Sequence, residues 1–239
     1  MLKISTFAIR VNSKAHRNTK KHFVCIGVPL ATDKLADVRL VSLAERLAMR
    51  EDAFVFYKPT KFAAQSRDEI VDFILGQCPN VTHFLFLDSD SIPPGNVLDE
   101  LVSADYDISV GICPVVKGGH IKWNVMKKED SPDDERIINF VAMDFLDVPD
   151  EPFELYTYGF ACVLVKRKVF EKMEWPYFKD IFVPGRRAVG QDTYFADKSA
   201  KAGFESWCVP SIQCEHNKAV PLLEIAKTIY KKQFLRSTK

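Results

Sequence analysis

Residues 82–95 read THFLFLDSDSIPPG, and this stretch decides the fold of the chain. Its first half is a nearly continuous apolar run, which is typical of a strand buried on both faces of a parallel sheet. The run ends in Asp88 and Asp90, separated by one residue, and the segment 93–95 then breaks the chain. In open α/β sheets, ligands bind just beyond the carboxyl ends of the strands. The stretch therefore predicts a buried strand that delivers two carboxylates to a ligand site.

Strand and helix signals alternate along the first half of the chain. The strand segments are short and apolar, and the helical segments place apolar residues three or four positions apart. Ser66, with Glu69 three residues later, favours a capping box at the start of one helix. This alternating order predicts an α/β fold with a largely parallel sheet. The predicted strands are 22–30, 53–57, 82–87 and 106–116, and the predicted helices are 34–50, 66–75 and 97–101.

The second half of the chain is less regular. Residues 117–135 are polar, so we expect an exposed loop flanked by shorter strands. No internal repeat, low-complexity segment or linker is visible in the sequence, which favours a single domain. Further strands are predicted at 160–165 and 204–209, and further helices at 167–174, 192–201 and 220–236.

Composition describes an ordinary globular protein. Apolar residues make up 47% and charged residues 27% of the sequence, which predicts a packed core. No segment approaches the apolar length of a membrane span, and the first 22 residues lack the hydrophobic region of a signal peptide. We therefore expect a cytoplasmic protein. The six cysteines form no CxxC pair and four lie in apolar runs, which favours buried reduced thiols over disulfides or a zinc site.

The net charge of +1 conceals two basic ends on an acidic body. Residues 23–216 contain 21 basic and 31 acidic residues, whereas 1–22 and 217–239 are strongly basic. Such ends either keep the chain soluble as solvated arms or contact something anionic. The anionic candidates are nucleic acid, a lipid surface and the acidic body itself.

The acidic triplet itself points to metal chemistry. Carboxylate oxygens are hard ligands that suit Mg²⁺ or Mn²⁺, and a metal there can neutralise a diphosphate as it leaves. The ordinary alternative is a turn, because Asp and Ser favour turns through their own local hydrogen bonds.

Taken in order, the motifs resemble the GT-A glycosyltransferases related to the large family 2. The resemblance covers about residues 22–216 and implies a single GT-A domain with an α/β, mostly parallel sheet. It implies that 1–116 holds nucleotide and metal and that 117–216 forms the acceptor side, with 217–239 as a basic C-terminal helix. The motifs are CIGVPL (25–30), SRD (66–68), FLFLDSDSIPP (84–94), YGF (158–160) with the basic pair 166–167, GQDTYFADKSAKAGFESWCVP (190–210) and EH (215–216).

The resemblance implies roles for individual residues at the metal. Asp90 binds the divalent cation directly, and Asp88 contacts the ribose or a metal-bound water. His216 completes the metal site with a neutral imidazole nitrogen. Its ordinary alternative is a surface or packed histidine.

The resemblance also implies a set of contacts to the nucleotide-sugar. Arg67 meets the base or the diphosphate, since arginine suits phosphate recognition, although a surface arginine in the first turn of a helix explains it as well. Gly159 lets the backbone approach the sugar, or is an ordinary glycine at the start of a strand. The remaining predicted contacts are Pro29, Leu30, Ala31, Ser89 and Lys117.

Asp192 is the candidate general base. Inverting transfer needs a carboxylate that accepts the proton of the acceptor hydroxyl. Relatives usually carry an acid immediately before this aspartate, whereas this chain has Gln191. A helix N-cap explains Asp192 equally well.

The sequence therefore predicts a metal-dependent glycosyltransferase that uses a nucleotide-sugar, with UDP as the commonest choice in the family, and that inverts configuration. The acceptor is a saccharide or an anionic polymer such as DNA with a hydroxymethylated base. One alternative is a phosphohydrolase of the haloacid dehalogenase type, whose first motif is also an apolar strand ending in Asp-x-Asp. Others are a nucleotidyltransferase, which would need a Gly-rich basic loop after the first strand, and a non-catalytic nucleic-acid or carbohydrate-binding module.

Overall fold

The computed structural model describes residues 9–10, 22–31, 36–117, 120–127, 142–144 and 146–217. The predicted C-terminal helix at 220–236 and nearly all of both basic ends lie outside these residues. Among the residues described, none of the helices has the length and apolar character needed to cross a membrane.

Helices and strands alternate through the first half of the described chain, and short hairpins are added in the second half. The helices are α1 (Val38–Ala48), α2 (Ala63–Gln77), α3 (Val97–Ser103), α4 (Arg167–Lys172) and α5 (Gln191–Lys201). The strands are β1 (Ile9–Arg10), β2 (Val24–Ala31), β3 (Ala53–Thr60), β4 (His83–Leu87), β5 (Ser91–Ile92), β6 (Ile108–Ile112), β7 (Pro114–Lys117), β8 (His120–Trp123), β9 (Val125–Lys127), β10 (Phe153–Tyr158), β11 (Cys162–Lys166), β12 (Ile181–Val183), β13 (Arg186–Val189), β14 (Ser206–Gln213) and β15 (Glu215–His216).

The largest sheet formed by the described residues has nine strands in the order β1-β3-β2-β4-β11-β6-β14-β10-β9. The pairings make β2, β3, β4, β6, β9 and β14 run in one direction, and β1, β10 and β11 in the other. The predicted α/β class with a mostly parallel sheet is confirmed. The antiparallel β11, from the second half of the chain, lies between β4 and β6, which both come from the first half.

β4 lies inside the sheet and is buried on both faces, as its apolar run predicts. Phe84 and Phe86 pack on the side of α2, whereas Leu85 and Leu87 pack on the side of α1 and α3. Gly27 of β2 lies opposite Phe86, and a Cβ atom on it would stand 3.2 Å from the Phe86 ring. Successive side chains of β4 point to opposite faces of the sheet, so this one strand contributes to the core on both sides.

The capping box predicted at Ser66 is wrong. α2 begins at Ala63, and its N-cap residue Phe62 makes no side-chain cap. Ser66 is buried and its hydroxyl donates to the Lys58 carbonyl at 2.7 Å. Glu69 forms an ion pair with Lys58 at 2.6 Å instead of closing a capping box. The helix therefore starts three residues before the predicted N-cap, and Arg67 lies on its buried side.

Two predictions around residues 106–135 need correction. The single strand expected at 106–116 is two strands, β6 and β7, which Cys113 separates. The Cys113 amide donates to the Asn124 side-chain oxygen at 2.8 Å rather than continuing the sheet. The loop expected at 117–135 contains β8 and β9, because β7 pairs back on β8 and β9 joins the main sheet through β10. Residues 128–135 of that predicted loop lie outside the described part.

The thiol prediction is confirmed. All six cysteines are free, and every one except the half-buried Cys78 is buried. Burial raises the pKa of the Cys208 thiol to about 12, so this sulfur stays protonated.

Asp68 provides a test of how α2 is joined to the loop before β12. Its carboxylate accepts the amide N–H groups of Tyr177 and Phe178 at 2.9 and 3.0 Å. Loss of hydration on burial raises the pKa of Asp68 to about 6. Between about pH 4 and pH 6, the folded state therefore holds a proton that the unfolded state has lost. The contribution of Asp68 to the free energy of unfolding falls as pH rises through this window.

Asp68→Asn keeps an oxygen for both amides but cannot titrate. We compare the free energy of unfolding of the variant minus that of wild type at two pH values. We expect this difference to increase by about 2 kcal/mol when the pH is raised from about 4.5 to about 7. Urea unfolding at the two pH values measures it. The comparison with wild type is needed because burial lowers the pKa of His83 to about 4, which acts in the same window with the opposite sign. A difference that does not change with pH would contradict the buried titration of Asp68.

Candidate active site

The Asp88–Asp90 turn follows β4 and is held by backbone hydrogen bonds from three other segments. These segments are the start of β11, the residue before α1 and the residue after β15. Because each residue of the turn is bonded separately, the turn is fixed along its whole length. The bonds are Asp88 N to Ala161 O at 3.0 Å, Asp37 N to Ser89 O at 2.8 Å and Asn217 N to Asp90 O at 2.9 Å.

Arg67, on the buried side of α2, joins this turn to α5. Its side chain is 2% exposed, and its Nη2 lies 2.5 Å from Asp88 Oδ1. Its Nη1 donates to Asp192 Oδ1 at 3.3 Å. The guanidinium carbon lies 5.1 Å from the Phe160 ring centre and 5.8 Å from that of Phe178. One buried cation on aromatic rings therefore holds two carboxylates, and the surface-arginine interpretation is wrong.

Asp192 is not the N-cap of α5. The helix begins at Gln191 after Gly190, and no side chain caps it. The Asp192 carboxylate instead accepts the Phe160 amide at 3.3 Å on Oδ2 and Arg67 on Oδ1. Its side chain is 34% exposed, so part of it faces solvent. A molecule in the adjoining solvent space can therefore reach this carboxylate.

Negative charge accumulates where the turn and α5 meet. The pKa of Asp88 is raised, first because its carboxylate has lost hydration and further because the carboxylates of Asp192 and Asp90 lie close to it. Arg67 lowers the pKa of the same group but does not fully offset the rise. A site of this kind favours a bound cation, which would relieve the repulsion among the carboxylates.

His216 lies beside Asp90, as the sequence predicts. β15 pairs with β5 so that His216 is opposite Ser91, and the His216 Nε2 lies 3.5 Å from Asp90 Oδ1. The other ring nitrogen lies 2.6 Å from the Pro114 carbonyl, which fixes the ring. The Asp90 carboxylate, followed by Cys113, raises the pKa of His216 to about 10. A metal that binds Nε2 would therefore displace a proton.

The structure brings Asp90 and His216 together but does not assemble a full set of metal ligands. Among the described residues, no three His, Cys, Asp or Glu side chains are arranged to hold a metal ion. Asp88 is engaged by Arg67 instead. Magnesium-like cations are commonly held by one or two protein ligands, with water and substrate phosphates completing the shell. The carboxylate and the oriented imidazole fit such a cation when a diphosphate supplies the rest.

The predicted nucleotide contacts of β2 lie at the same edge of the sheet as the turn. β2 pairs with β4 as far as Gly27, opposite Phe86. The next residues of β2 continue past the end of β4 while still paired with β3. These residues include Pro29, Leu30 and Ala31. Lys117, the last residue of β7, lies opposite His120 in the β7–β8 hairpin, so the structure places it in a different element.

Gly159 packs directly on Asn124, a residue that the sequence analysis missed. The Gly159 amide donates to the Asn124 carbonyl at 2.7 Å, and Asn124 Nδ2 donates back to the Gly159 carbonyl at 3.2 Å. A Cβ atom on Gly159 would stand 3.0 Å from Asn124 Nδ2. The glycine is thus needed for this close packing, whatever else it contacts. A single asparagine in a polar stretch carries no sequence signal that could have identified it.

A cleft of about 370 Å³ opens beside Asp192 and Gly159. Its volume lies within the range of small-molecule sites. β13 forms one side of it, and the β12–β13 hairpin to which this strand belongs was not predicted from the sequence. The polar residues of the cleft wall are Asn124, Thr157, Arg187, Gln191, Asp192 and Thr193.

Comparison with known proteins identifies the fold but no family. The sequence matches no protein-family model and no curated protein. Among solved structures, the chain is similar to A197 from STIV with 15% sequence identity and a TM-score of 0.55, over 82% of this chain and 86% of that chain. It also aligns with GalNAc-T7, solved with UDP, GalNAc and Mn²⁺, with 13% identity and a TM-score of 0.48, over 83% of this chain and 43% of that chain.

The first of these likenesses establishes a shared fold, and the second is too weak to carry an argument. The chain thus has the α/β architecture of A197 from STIV. Its large central sheet is mixed, with most of the strands that the structure describes running in one direction.

The buried position of Arg67 makes a prediction about stability. Arg67→Met removes the cation and leaves Asp88 and Asp192 facing one another, so we expect a loss of about 3–5 kcal/mol in the free energy of unfolding. Arg50→Met is the matched control, because Arg50 also contacts two carboxylates, those of Asp52 at 2.8 Å and Asp99 at 2.7 Å, but with 34% of its side chain exposed.

The control should cost about 0–1 kcal/mol, as exposed ion pairs do. Urea unfolding of both variants checks the difference. Equal costs would show that burial of Arg67 between the carboxylates has no energetic consequence.

Proposed function

We propose that this protein is a metal-dependent glycosyltransferase that moves a sugar from a UDP-sugar to an acceptor hydroxyl with inversion of configuration. The observation that carries the proposal is the joining of Asp88 and Asp192 by the buried Arg67, with Asp90 and His216 on the outer side of the same turn. In this proposal, Asp90 and His216 on the metal side and the partly exposed carboxylate of Asp192 border one site at the carboxyl end of β4.

The donor side of the proposed site is built from the turn and its neighbours. Asp90 and His216 would hold Mn²⁺ or Mg²⁺, which supplies positive charge against the diphosphate as it leaves. Asp88 is fixed by Arg67 at one oxygen, so it is suited to a ribose hydroxyl or a metal-bound water rather than to free movement. The end of β2, at Pro29–Ala31, borders the same edge of the sheet.

Arg67 then has an indirect role in this proposal. A side chain that is 2% exposed and already bound to two carboxylates has little surface left for a base or a diphosphate. We therefore assign Arg67 the positioning of Asp88 and Asp192. Ser89, whose carbonyl accepts the Asp37 amide, would contact the nucleotide in this proposal.

The acceptor side is the cleft beside Asp192. Its carboxylate would accept the proton of the acceptor hydroxyl while the oxygen attacks the sugar from the face opposite the leaving diphosphate. Gly159 and Asn124 form the neighbouring wall. In this proposal residues 1–116 supply most of the donor side, with His216 added from 117–216, and residues 117–216 supply the acceptor side.

The phosphohydrolase alternative finds less support in this geometry. In that mechanism, the first aspartate of the motif is the nucleophile and needs a free oxygen facing the phosphate. Here Asp88 Oδ1 is bound at 2.5 Å by the buried guanidinium of Arg67, so one oxygen alone stays open and its negative charge is shared with that cation, which weakens it as a nucleophile.

The donor proposal is tested by thermal shift with Mn²⁺ and UDP. We expect Mn²⁺ and UDP together to stabilise the wild type by about 2.7 kcal/mol at ligand concentrations a hundredfold above Kd, and each alone to do less. Asp90→Asn should remove the metal-dependent part of the shift, whereas Asp99→Asn, at an exposed position in α3, should keep it. An unchanged shift in Asp90→Asn would remove the metal assignment, and no shift in the wild type would remove the proposal.

Asp192 is tested by turnover. With the UDP-sugar that gives the largest thermal shift, we expect Asp192→Asn to slow UDP release about 10²–10⁴-fold, as loss of a general base does. The Mn²⁺- and UDP-dependent thermal shift should be kept. Asp197→Asn, at an exposed position in the same helix, is the control and should react like wild type. A variant at Asp192 with normal turnover would show that another group accepts the proton.

A further inference from the structure

The cleft beside Asp192 carries two opposite charges. Among the described residues that line it, Asp192 and Arg187 are the charged ones. Arg187 belongs to β13, on the hairpin that precedes α5, and its side chain is 59% exposed. A hydroxyl-accepting carboxylate and a guanidinium thus face one small space.

Arg187 is held in place rather than extended into solvent at random. Its Nη1 lies 3.2 Å from Asp180 Oδ1, and the same oxygen accepts the Gln191 amide at 3.1 Å. The guanidinium lies over Gly190, since a Cβ atom there would stand 3.6 Å from Arg187 Cζ. Asp180 therefore ties the guanidinium to the first turn of α5, which also contains the proposed base Asp192. The exposed pair leaves other guanidinium N–H groups directed away from Asp180.

The cleft wall also offers neutral hydrogen-bonding groups. The hydroxyl-bearing residues Thr157 and Thr193 line it, together with the amide-bearing residues Asn124 and Gln191. A ligand with hydroxyl groups matches such a wall, since a hydroxyl both donates and accepts hydrogen bonds.

The position of Arg187 separates it from the donor side. The cleft wall includes Gly159 and Asp192 but none of Pro29, Asp90 or His216. The donor side is already rich in carboxylates, which Arg67 and a metal would offset. Arg187 lines the cleft together with Asp192, and this cleft is the acceptor side of the proposed function.

From this arrangement, and on the basis of the proposed function, we infer that the acceptor is a hydroxyl-bearing molecule that also carries a phosphate or similar anionic group bound by Arg187. Guanidinium groups match phosphate oxygens in a forked geometry, and such charge-assisted hydrogen bonds are stronger than neutral ones. The cleft of about 370 Å³ suits one sugar unit with its phosphate. The inference narrows the acceptor from any saccharide to an anionic one.

The test uses glucose 6-phosphate and glucose as probes, titrated into protein saturated with Mn²⁺ and UDP. We expect glucose 6-phosphate to bind at least about tenfold more tightly than glucose, with the difference shrinking in high salt. Arg187→Gln should abolish the difference. Arg186→Gln is the matched control, because Arg186 is the exposed neighbour on the same strand and does not line the cleft.

The outcomes separate this inference from the proposed function. Equal affinities of the wild type for glucose 6-phosphate and glucose, or no binding of either, would overturn the proposal of an anionic acceptor. A weaker Mn²⁺- and UDP-dependent shift in Arg187→Gln, with no effect on the probes, would assign Arg187 to the donor diphosphate and would also overturn it. Absence of any Mn²⁺- and UDP-dependent shift in the wild type would instead count against the proposed function.

Discussion

The site depends on one interaction, the buried guanidinium of Arg67 shared between Asp88 and Asp192. These three residues come from α2, from the turn after β4 and from α5, and the two contacts span 21 and 125 positions of the chain. Without the cation, the carboxylates of Asp88 and Asp192 would repel one another. A buried charge such as that of Arg67 costs several kcal/mol of hydration, so such an arrangement persists only where geometry and partners compensate it. The other groups of the candidate site are arranged around this contact.

The aromatic core beneath Arg67 provides that compensation. Phe160 and Phe178 lie against the guanidinium and are themselves packed on a cluster of rings at 4.9 Å or slightly more. Ring faces carry partial negative charge, which stabilises a cation without adding a hydrogen-bonding group. The rings also exclude water, and this strengthens the attraction of Arg67 for both carboxylates. A tightly packed core thus serves the site as well as the stability of the fold.

The sequence was informative where the signal is local. The apolar run of β4, the acids that follow it and the alternating elements up to β6 depend on short periodic patterns, and the structure has them. The sequence was uninformative where the structure depends on contacts that leave no local pattern. These features are the insertion of β11 between β4 and β6, the β12–β13 hairpin and the pairing of Asn124 with Gly159. The early start of α2 is a mixed case, because Ser66 and Glu69 fit a capping box but bind Lys58 in the folded chain. Tertiary contacts to β3 outweighed that local preference.

A fold shared at 15% identity is expected if so few residues are constrained. The two core layers require apolar side chains at alternating positions of the strands, and many combinations of similar volume satisfy that requirement. Specific identities are needed only where charge is buried or backbones approach closely, as at Arg67, Asp88, Asp192 and Gly159. These positions are scattered along the chain, so little contiguous sequence records them. The architecture can therefore persist while overall sequence similarity is lost, and the charged contact buried in the core is the feature that relates this chain's site to its fold.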